Sequence, residues 1–200
     1  WFASSSPPAQ MRAAFAGTPA ALGLDPRQLR DFSVPETRAL RFTAIGGRWW
    51  IVAEGPDGLR TAGTDGATAL DPGTIAAAAS GALAGGPLRS MRLLRAYDAY
   101  WYPHGTDPRP LPILRLRFGD AAATWLHVDP RDGTILQRLD RSGRINRWLF
   151  DATHRLDLPI LTGNRAVHDG AQWILNLLAA GIAMTGIVAG WRRLRRIALA

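Results

Sequence analysis

An uncharged, apolar run over residues 171–190 is the longest uniform pattern in the chain. A helix of that length rises about 30 Å, which matches the hydrocarbon core of a bilayer. Trp173 and Trp191 lie near its two ends, and indole rings favour the lipid–water interface. The pattern predicts a transmembrane helix over residues 168–191, and a buried helix of a soluble protein is the alternative.

A cluster of arginines follows this run at once: Arg192, Arg193, Arg195 and Arg196. The positive-inside rule predicts that residues 192–200 are a cytoplasmic basic tail and that the bulk of the chain lies outside the cytoplasm. Anionic lipid headgroups attract clustered arginines. These arginines, with Trp173 and Trp191, are therefore the expected membrane anchors, and membrane lipids are an expected partner.

One face of the predicted membrane helix differs from the rest. Spacings of three and four place five residues on one stripe: Asn176, Ala179, Ala183, Gly186 and Gly190. Small side chains let a second helix approach closely, and the Asn176 amide can hydrogen-bond across such a contact. The stripe predicts packing against an upstream transmembrane helix or a second copy of this helix. The alternative is that Gly and Ala are simply common in membrane helices.

Before this helix, apolar and polar residues alternate in short runs that turn residues separate. Such alternation predicts β-strands with one buried face. The runs are 38–44, 48–54, 59–63, 89–96, 113–118, 122–128 and 134–139, with turns at Gly46-Gly47, Asp65-Gly66 and Asp132-Gly133. Asp71 is expected to cap a helix over 72–83, and residues 9–16 are predicted to form a short helix.

The predicted fold class is therefore α+β, with small antiparallel sheets and packed helices followed by a transmembrane helix. Two Asp-Gly turns each follow a strand pair that contains tryptophan. This recurrence predicts a degenerate tandem repeat of one small unit. Residues 140–156 show a 3.6-residue apolar period, which predicts a juxtamembrane helix.

Charge and composition narrow the range of partners. The chain carries 24 basic and 16 acidic residues, a net charge of +8 and a pI near 11.3, and every basic residue is arginine. These arginines are mostly scattered among the acids, and no aromatic-interleaved basic motif occurs, so no nucleic-acid partner is expected. The absence of cysteine excludes thiol catalysis, disulfides and cysteine-ligated zinc.

Motifs of several enzyme classes are missing from the sequence. There is no Gly-x-Ser-x-Gly, no His-Glu-x-x-His and no phosphate-binding loop, which would also need a lysine. Asp129 and Asp132 resemble an acid pair or a calcium loop, but Asp-Pro and Asp-Gly also satisfy a β-turn, which we favour. We therefore predict neither a catalytic residue nor a metal site.

A set of short motifs runs from residue 96 to residue 196. They are Asp98-Ala99-Tyr100-Trp101-Tyr102, Leu111-Pro112-Ile113-Leu114-Arg115, Thr124-Trp125-Leu126-His127-Val128-Asp129-Pro130, Asp132-Gly133-Thr134-Ile135-Leu136, Arg147-Trp148-Leu149-Phe150, His154, Asp157, Pro159, Asn164-Arg165, Asp169, Thr185-Gly186-Ile187-Val188 and Trp191-Arg192-Arg193-Leu194-Arg195-Arg196. Together they resemble bacterial PepSY-domain membrane proteins, specifically the PepSY-associated transmembrane family. The resemblance implies a helix packed on a small antiparallel sheet, on the periplasmic side of the bacterial inner membrane.

This resemblance also implies a division of the chain and a function. Residues 1–24 are expected to be a linker after a missing upstream segment, 25–88 a degenerate PepSY-like unit and 89–139 a PepSY-like unit. Residues 140–167 hold the juxtamembrane helix and a loop. In secreted-protease propeptides PepSY domains resemble inhibitors, so we expect a non-catalytic sensing or interaction module that binds a periplasmic peptide or protein. The exposed edges of a small sheet suit strand addition.

A haem-bearing electron-transfer component of iron uptake is the alternative function. Some PepSY membrane relatives resemble ferric-siderophore reductases that carry haem between helices, and a haem b iron needs axial histidines. His154 and His168 flank the outer end of the membrane helix and are the candidate ligands. Relatives tend to have Arg-Pro-Leu-Trp-Asp at 165–169, so the family assigns no role to His168. His127, in an alternating strand, is expected to be structural or on the surface.

The predicted orientation can be tested with a reporter that is active only in the cytoplasm. Fusion after Ala200 should give an active reporter, and fusion after Gly143 should give an inactive one, because the arginine cluster keeps the C-terminal end inside. The reverse pattern would remove the periplasmic assignment.

Overall fold

The chain divides into two compact units, residues 1–144 and residues 145–200. The computed structural model describes residues 7–22, 27, 30, 36–65, 69–83, 86–103, 109–151 and 165–198, and for residues 150, 151, 165 and 196–198 it describes the backbone alone. The first unit holds two antiparallel sheets with helices packed on them, and the second holds a long apolar helix. This confirms the α+β class and the presence of a long C-terminal helix.

Helix α1 (Ala9–Ala16) ends on the turn of the first β-hairpin. Its last two carbonyl groups accept the backbone N–H groups of Gly46 and Gly47 at 2.9 and 2.8 Å. Carbonyls at the end of a helix have no partner within it, so the hairpin turn caps α1. Gly17 follows with a φ of 72°, and a Cβ there would meet the Gly47 nitrogen at 2.5 Å. Glycine is therefore required where α1 meets the hairpin.

The first sheet has three antiparallel strands in the order β1 (Ala39–Ile45), β2 (Arg48–Gly55) and β3 (Gly58–Gly63). Ile45 pairs with Arg48, so Gly46-Gly47 forms a two-residue turn, and both glycines have positive φ, at 60° and 77°. Turns of this kind match the twist of the strands they join. Each strand begins and ends within one residue of its prediction.

Helix α2 (Pro72–Ala82) begins where the sequence predicts it. The Asp71 carboxylate accepts the backbone N–H groups of Gly73 and Thr74 at 2.7 and 3.0 Å, and Pro72 occupies the first helical position. Four residues of the helix are buried: Ile75, Ala76, Ala78 and Ala79. Because three of these are alanine, the backbone of α2 can approach its neighbours closely.

The second sheet has four antiparallel strands in the order β4 (Leu88–Leu94), β5 (Ile113–Phe118), β6 (Trp125–Val128) and β7 (Ile135–Leu139). The β5 prediction is confirmed at both ends. Strand β6 begins three residues later than its predicted run, which starts at residue 122. The reason is a turn in which the Asp120 carboxylate accepts the backbone N–H and the hydroxyl of Thr124, each at 2.6 Å.

One hydrophobic core joins both sheets in the first unit. Its buried residues are Met11, Phe15, Ile45, Trp50, Leu70, Ile75, Ala76, Ala78, Ala79, Leu114, Leu116, Phe118, Leu126 and Val128. They come from both helices, from β1 and β2, and from β5 and β6. Burial of this apolar surface is the main force that holds the two sheets in one unit. The predicted tandem repeat and domain boundaries stay predictions.

The second unit begins inside helix α3 (Arg141–Asn146), which continues as a π-helical turn over Arg147–Asp151. The rest of the predicted juxtamembrane helix lies outside the described residues. Helix α4 (Arg165–Ala198) follows and contains a stretch, Ala166–Arg195, that is long and apolar enough to cross a membrane. None of that stretch is buried in the protein, so α4 is suited to membrane anchoring.

The turn between β6 and β7 provides a test of the packing between the two sheets. Gly133 has a φ of 72°, and a Cβ at this position would collide with the Cδ1 atom of Ile45 from β1. Gly133→Ala should therefore lower the free energy of unfolding by more than about 1 kcal/mol. Thermal or urea unfolding of the chain in detergent, followed by tryptophan fluorescence, measures this change.

Gly81→Ala is the matched control, because Gly81 is exposed in α2 and has open space around its Cα. The control should be neutral or stabilising by up to about 1 kcal/mol. Equal behaviour of the two variants would mean that the Gly133 turn does not pack as described.

Candidate functional site

The outer face of the second sheet carries polar side chains that the strand register brings together. Leu114 and Leu116 of β5 point into the core, so Arg115 and Arg117 point to the opposite face. Arg115 lies directly across from His127 of β6, and His127 lies across from Gln137 of β7. These three side chains form one row across three strands, and each is at least nine-tenths buried.

Arg115 is held by the carboxylate of Asp98 from the loop after β4. Its two terminal nitrogens donate to Asp98 Oδ2 at 2.6 Å and to Asp98 Oδ1 at 2.8 Å. The Asp98 carboxylate also accepts the backbone N–H groups of Tyr100 and Trp101, both at 3.0 Å. Burial alone would raise the pKa of Asp98, but the bonds from Arg115 and from these backbone groups outweigh it and hold the pKa below its usual range.

His127 completes the row as a neutral side chain. Arg115 Nε donates to His127 Nε2 at 2.7 Å, and Nδ1 lies 2.7 Å from Gln137 Oε1. A guanidinium can only donate, so Nε2 is the acceptor and Nδ1 carries the proton that bonds Gln137. Burial, together with the nearby charge of Arg115, lowers the pKa of His127 to about 3. The histidine is therefore a structural residue. Of the two alternatives that the sequence left open, a structural and a surface residue, the first is confirmed.

Trp101 covers this row on the outer face of the sheet. Its ring lies 5.1 Å from the His127 ring, its indole N–H donates to the carbonyl of Pro110 at 3.0 Å, and only 2% of the residue is exposed. Beside it, Leu94 and Ile113 complete a second, smaller hydrophobic cluster. The described part of the loop after β4 thus covers the sheet here, and Arg115 and His127 are structural residues beneath it.

Trp125 of β6 is the centre of a separate, partly exposed cluster, called here the Trp125 cluster. The guanidinium carbons of Arg117, Arg144 and Arg115 lie 4.2, 4.5 and 5.2 Å from its ring centroid, and the Tyr100 ring packs edge-on at 5.1 Å. Arg144 also donates to the carbonyl of Ala123 at 2.8 Å. Burial lowers the pKa of Arg144 and outweighs the opposing effects of Tyr100 and Asp140, and the charges of neighbouring arginines add to the lowering.

Asp129 and Asp132 form a turn, as we predicted. Gly133 N–H donates to the Asp129 carbonyl at 2.9 Å, and the Asp132 carboxylate accepts the Thr134 N–H at 2.9 Å. The Asp132 carboxylate also forms an ion pair with Arg41 of β1, so the turn binds the first sheet. Within the ranges that the structure describes, no group of three or more His, Asp or Glu side chains is arranged to hold a metal ion.

The predicted membrane residues all lie on α4. Trp173 and Trp191 are 69% and 58% exposed, and the Arg195 guanidinium lies 5.3 Å from the Trp191 ring. Arg192 and Arg193 are exposed, and the Arg196 side chain lies outside the described residues. The stripe of Asn176, Ala179, Ala183, Gly186 and Gly190 is exposed too, and a Cβ at either glycine would meet nothing within 4 Å. Helix packing through this stripe stays a prediction.

Of the two candidate haem ligands, one lies among the described residues. His154 lies outside the described residues. His168 lies in the first turn of α4, with its Nδ1 atom 3.4 Å from the carboxylate of Asp169. Haem binding therefore stays a prediction.

Sequence reasoning missed the Trp125 cluster and the buried Arg115. Alternation along β5 places both arginines on the outer face and predicts that this face is exposed. The aromatic residues at 97–102 are the signal that could have corrected this expectation, because they belong to the loop that covers this face. No family model, curated protein or solved structure matches the chain.

Burial of neutral His127 predicts a pH-dependent stability. In the unfolded chain a histidine binds a proton below about pH 6.5, whereas folded His127 stays neutral down to about pH 3. Acidification through this window therefore favours unfolding, and between about pH 7 and about pH 5 the loss should approach 2 kcal/mol. Urea unfolding of the chain in detergent at the two pH values measures it.

His127→Gln keeps a polar side chain and removes the titrating group. It should lower stability at neutral pH but lose most of the extra acid sensitivity, while the other histidines titrate equally in both chains. Identical pH dependence of the parent and the variant would show that His127 takes up a proton as readily in the folded chain as in the unfolded chain.

Proposed function

We propose that this chain is a membrane-anchored interaction module whose α+β unit, outside the cytoplasm, binds an extended peptide segment along β4. The observation that carries the proposal is the outer edge of β4, which has no partner strand among the described residues and combines exposed apolar side chains with the exposed Arg92. The apolar helix α4 supports the anchoring, and the arginines after it support the orientation. The resemblance to PepSY proteins supports a regulatory role on a periplasmic peptidase or peptide.

Within the part of the chain that the structure describes, strand β4 lies at the edge of the second sheet and pairs on one side, with β5. Met91 and Leu93 pair with Leu116 and Leu114, whose side chains lie in the core, yet they are 47% and 38% exposed. The apolar face of the sheet thus continues to its open edge. An edge strand that offers free backbone groups and apolar side chains is suited to receive another strand.

A positive charge on the opposite face of β4 gives this edge a preference for acidic residues in the bound segment. Arg92 is exposed, lies across from Arg115, and has no carboxylate partner among the described residues. Strand β1 also exposes apolar residues at the edge of its sheet, but its Arg41 is already paired with Asp132. A segment that alternates apolar with acidic residues would place its apolar side chains beside Met91 and Leu93 and its acids beside Arg92. We therefore assign β4 as the binding edge.

A fluorescein-labelled peptide of alternating valine and glutamate tests this assignment by fluorescence anisotropy with the full chain in neutral detergent. The parent should bind the peptide, and Arg92→Glu should weaken binding by roughly tenfold, because it places like charges side by side. Arg60→Glu, an exposed change on β3, is the control and should bind as the parent does.

Alternating valine and lysine in the peptide should restore binding to Arg92→Glu. Equal binding by all three chains, or no binding by the parent, would reject β4 as the binding edge.

A further inference from the structure

We propose that Arg117, Arg144 and Trp125 form a binding site for a phosphate group. The site lies on β5, β6 and α3, and it does not use the edge of β4, so it is independent of peptide binding. Its starting observation is that two guanidinium groups are held against one indole ring, at 4.2 and 4.5 Å from the ring centroid.

Neither Arg117 nor Arg144 forms an ion pair with any carboxylate among the described residues. The charge of Asp140 offsets part of the charge of Arg144, but the Asp140 carboxylate accepts the Ser142 hydroxyl and the Gly143 N–H, and Asp98 pairs with Arg115. Like charges repel most strongly where side chains are partly buried. A bound anion would remove this repulsion.

The geometry leaves the hydrogen-bonding edges of the guanidinium groups available. Stacking on an aromatic ring uses the face of a guanidinium, while its N–H donors lie in the plane and point outward. Arg117 makes no described hydrogen bond through its side chain, and Arg144 uses one terminal nitrogen for the carbonyls of Ala123 and Leu139. Each guanidinium group at this ring thus keeps in-plane donors that are open to an anion.

The charge of the site selects the class of anion. Two adjacent guanidinium groups match the double charge and several oxygens of a phosphate better than a single carboxylate. The phosphate can belong to a small soluble monoester or to a lipid whose headgroup is a phosphate monoester. A lipid source is available to this chain, because Arg144 precedes the apolar helix α4 by about 21 residues of sequence.

Isothermal titration of inorganic phosphate into the full chain in neutral detergent tests the proposal, with sodium chloride at the same ionic strength as reference. Phosphate should bind the parent in excess of chloride. Arg117→Gln and Arg144→Gln should each weaken phosphate binding by about tenfold or more, since each removes charged donors. Arg60→Gln, an exposed change on β3, is the matched control and should bind as the parent does.

A second arm distinguishes the two sources of phosphate. The titration is repeated in nanodiscs of zwitterionic lipid, with and without phosphatidic acid. If the lipid headgroup occupies the site, phosphatidic acid should abolish binding of free phosphate; if a soluble monoester is the ligand, binding should persist in both discs. Binding equal to that of chloride, or unchanged binding in both Arg117→Gln and Arg144→Gln, would overturn the proposal and leave a purely structural stack.

Discussion

A buried guanidinium organises the outer face of the second sheet. Arg115 is only 3% exposed, and a charge removed from water needs both a counter-charge and hydrogen-bond acceptors. Asp98 supplies the counter-charge from the loop after β4, and His127 supplies an acceptor from the next strand. Because Arg115 is satisfied only when both are in place, the loop and the sheet depend on each other for their arrangement.

The two sheets are joined by contacts of a different kind at the β6–β7 turn. Gly133 allows the turn to approach Ile45, and Asp132 in the same turn pairs with Arg41 on β1. Apolar contact and ion pairing thus act at one junction, next to the core that both sheets share. The turn is therefore more than a connection between strands, since it holds the first sheet against the second.

The second sheet presents different chemistry on its two partly open surfaces. At the edge, Met91 and Leu93 extend the apolar core face to solvent, while Arg92 faces the other way. Around Trp125, the guanidinium groups of Arg117 and Arg144 lie against an aromatic ring. Arginine fits both positions because its stem covers apolar surface while its planar head stays charged. Every basic residue of the chain is arginine, and the arginines at these positions contribute to its high pI.

Local patterns allowed much of the fold to be predicted from the sequence. The Asp71 cap, the Gly46-Gly47 turn, most strand limits and the long apolar helix α4 depend on neighbours in the chain, and the structure has each of them. Only the tertiary structure determined the different environments of the two arginines on β5. Arg115 and Arg117 occupy equivalent positions in one alternating pattern, yet Arg115 is buried and paired with Asp98, whereas Arg117 is partly exposed over the Trp125 ring. The residues that separate these outcomes, Asp98, Trp101 and Arg144, are distant in sequence, and only folding brings them to the strand.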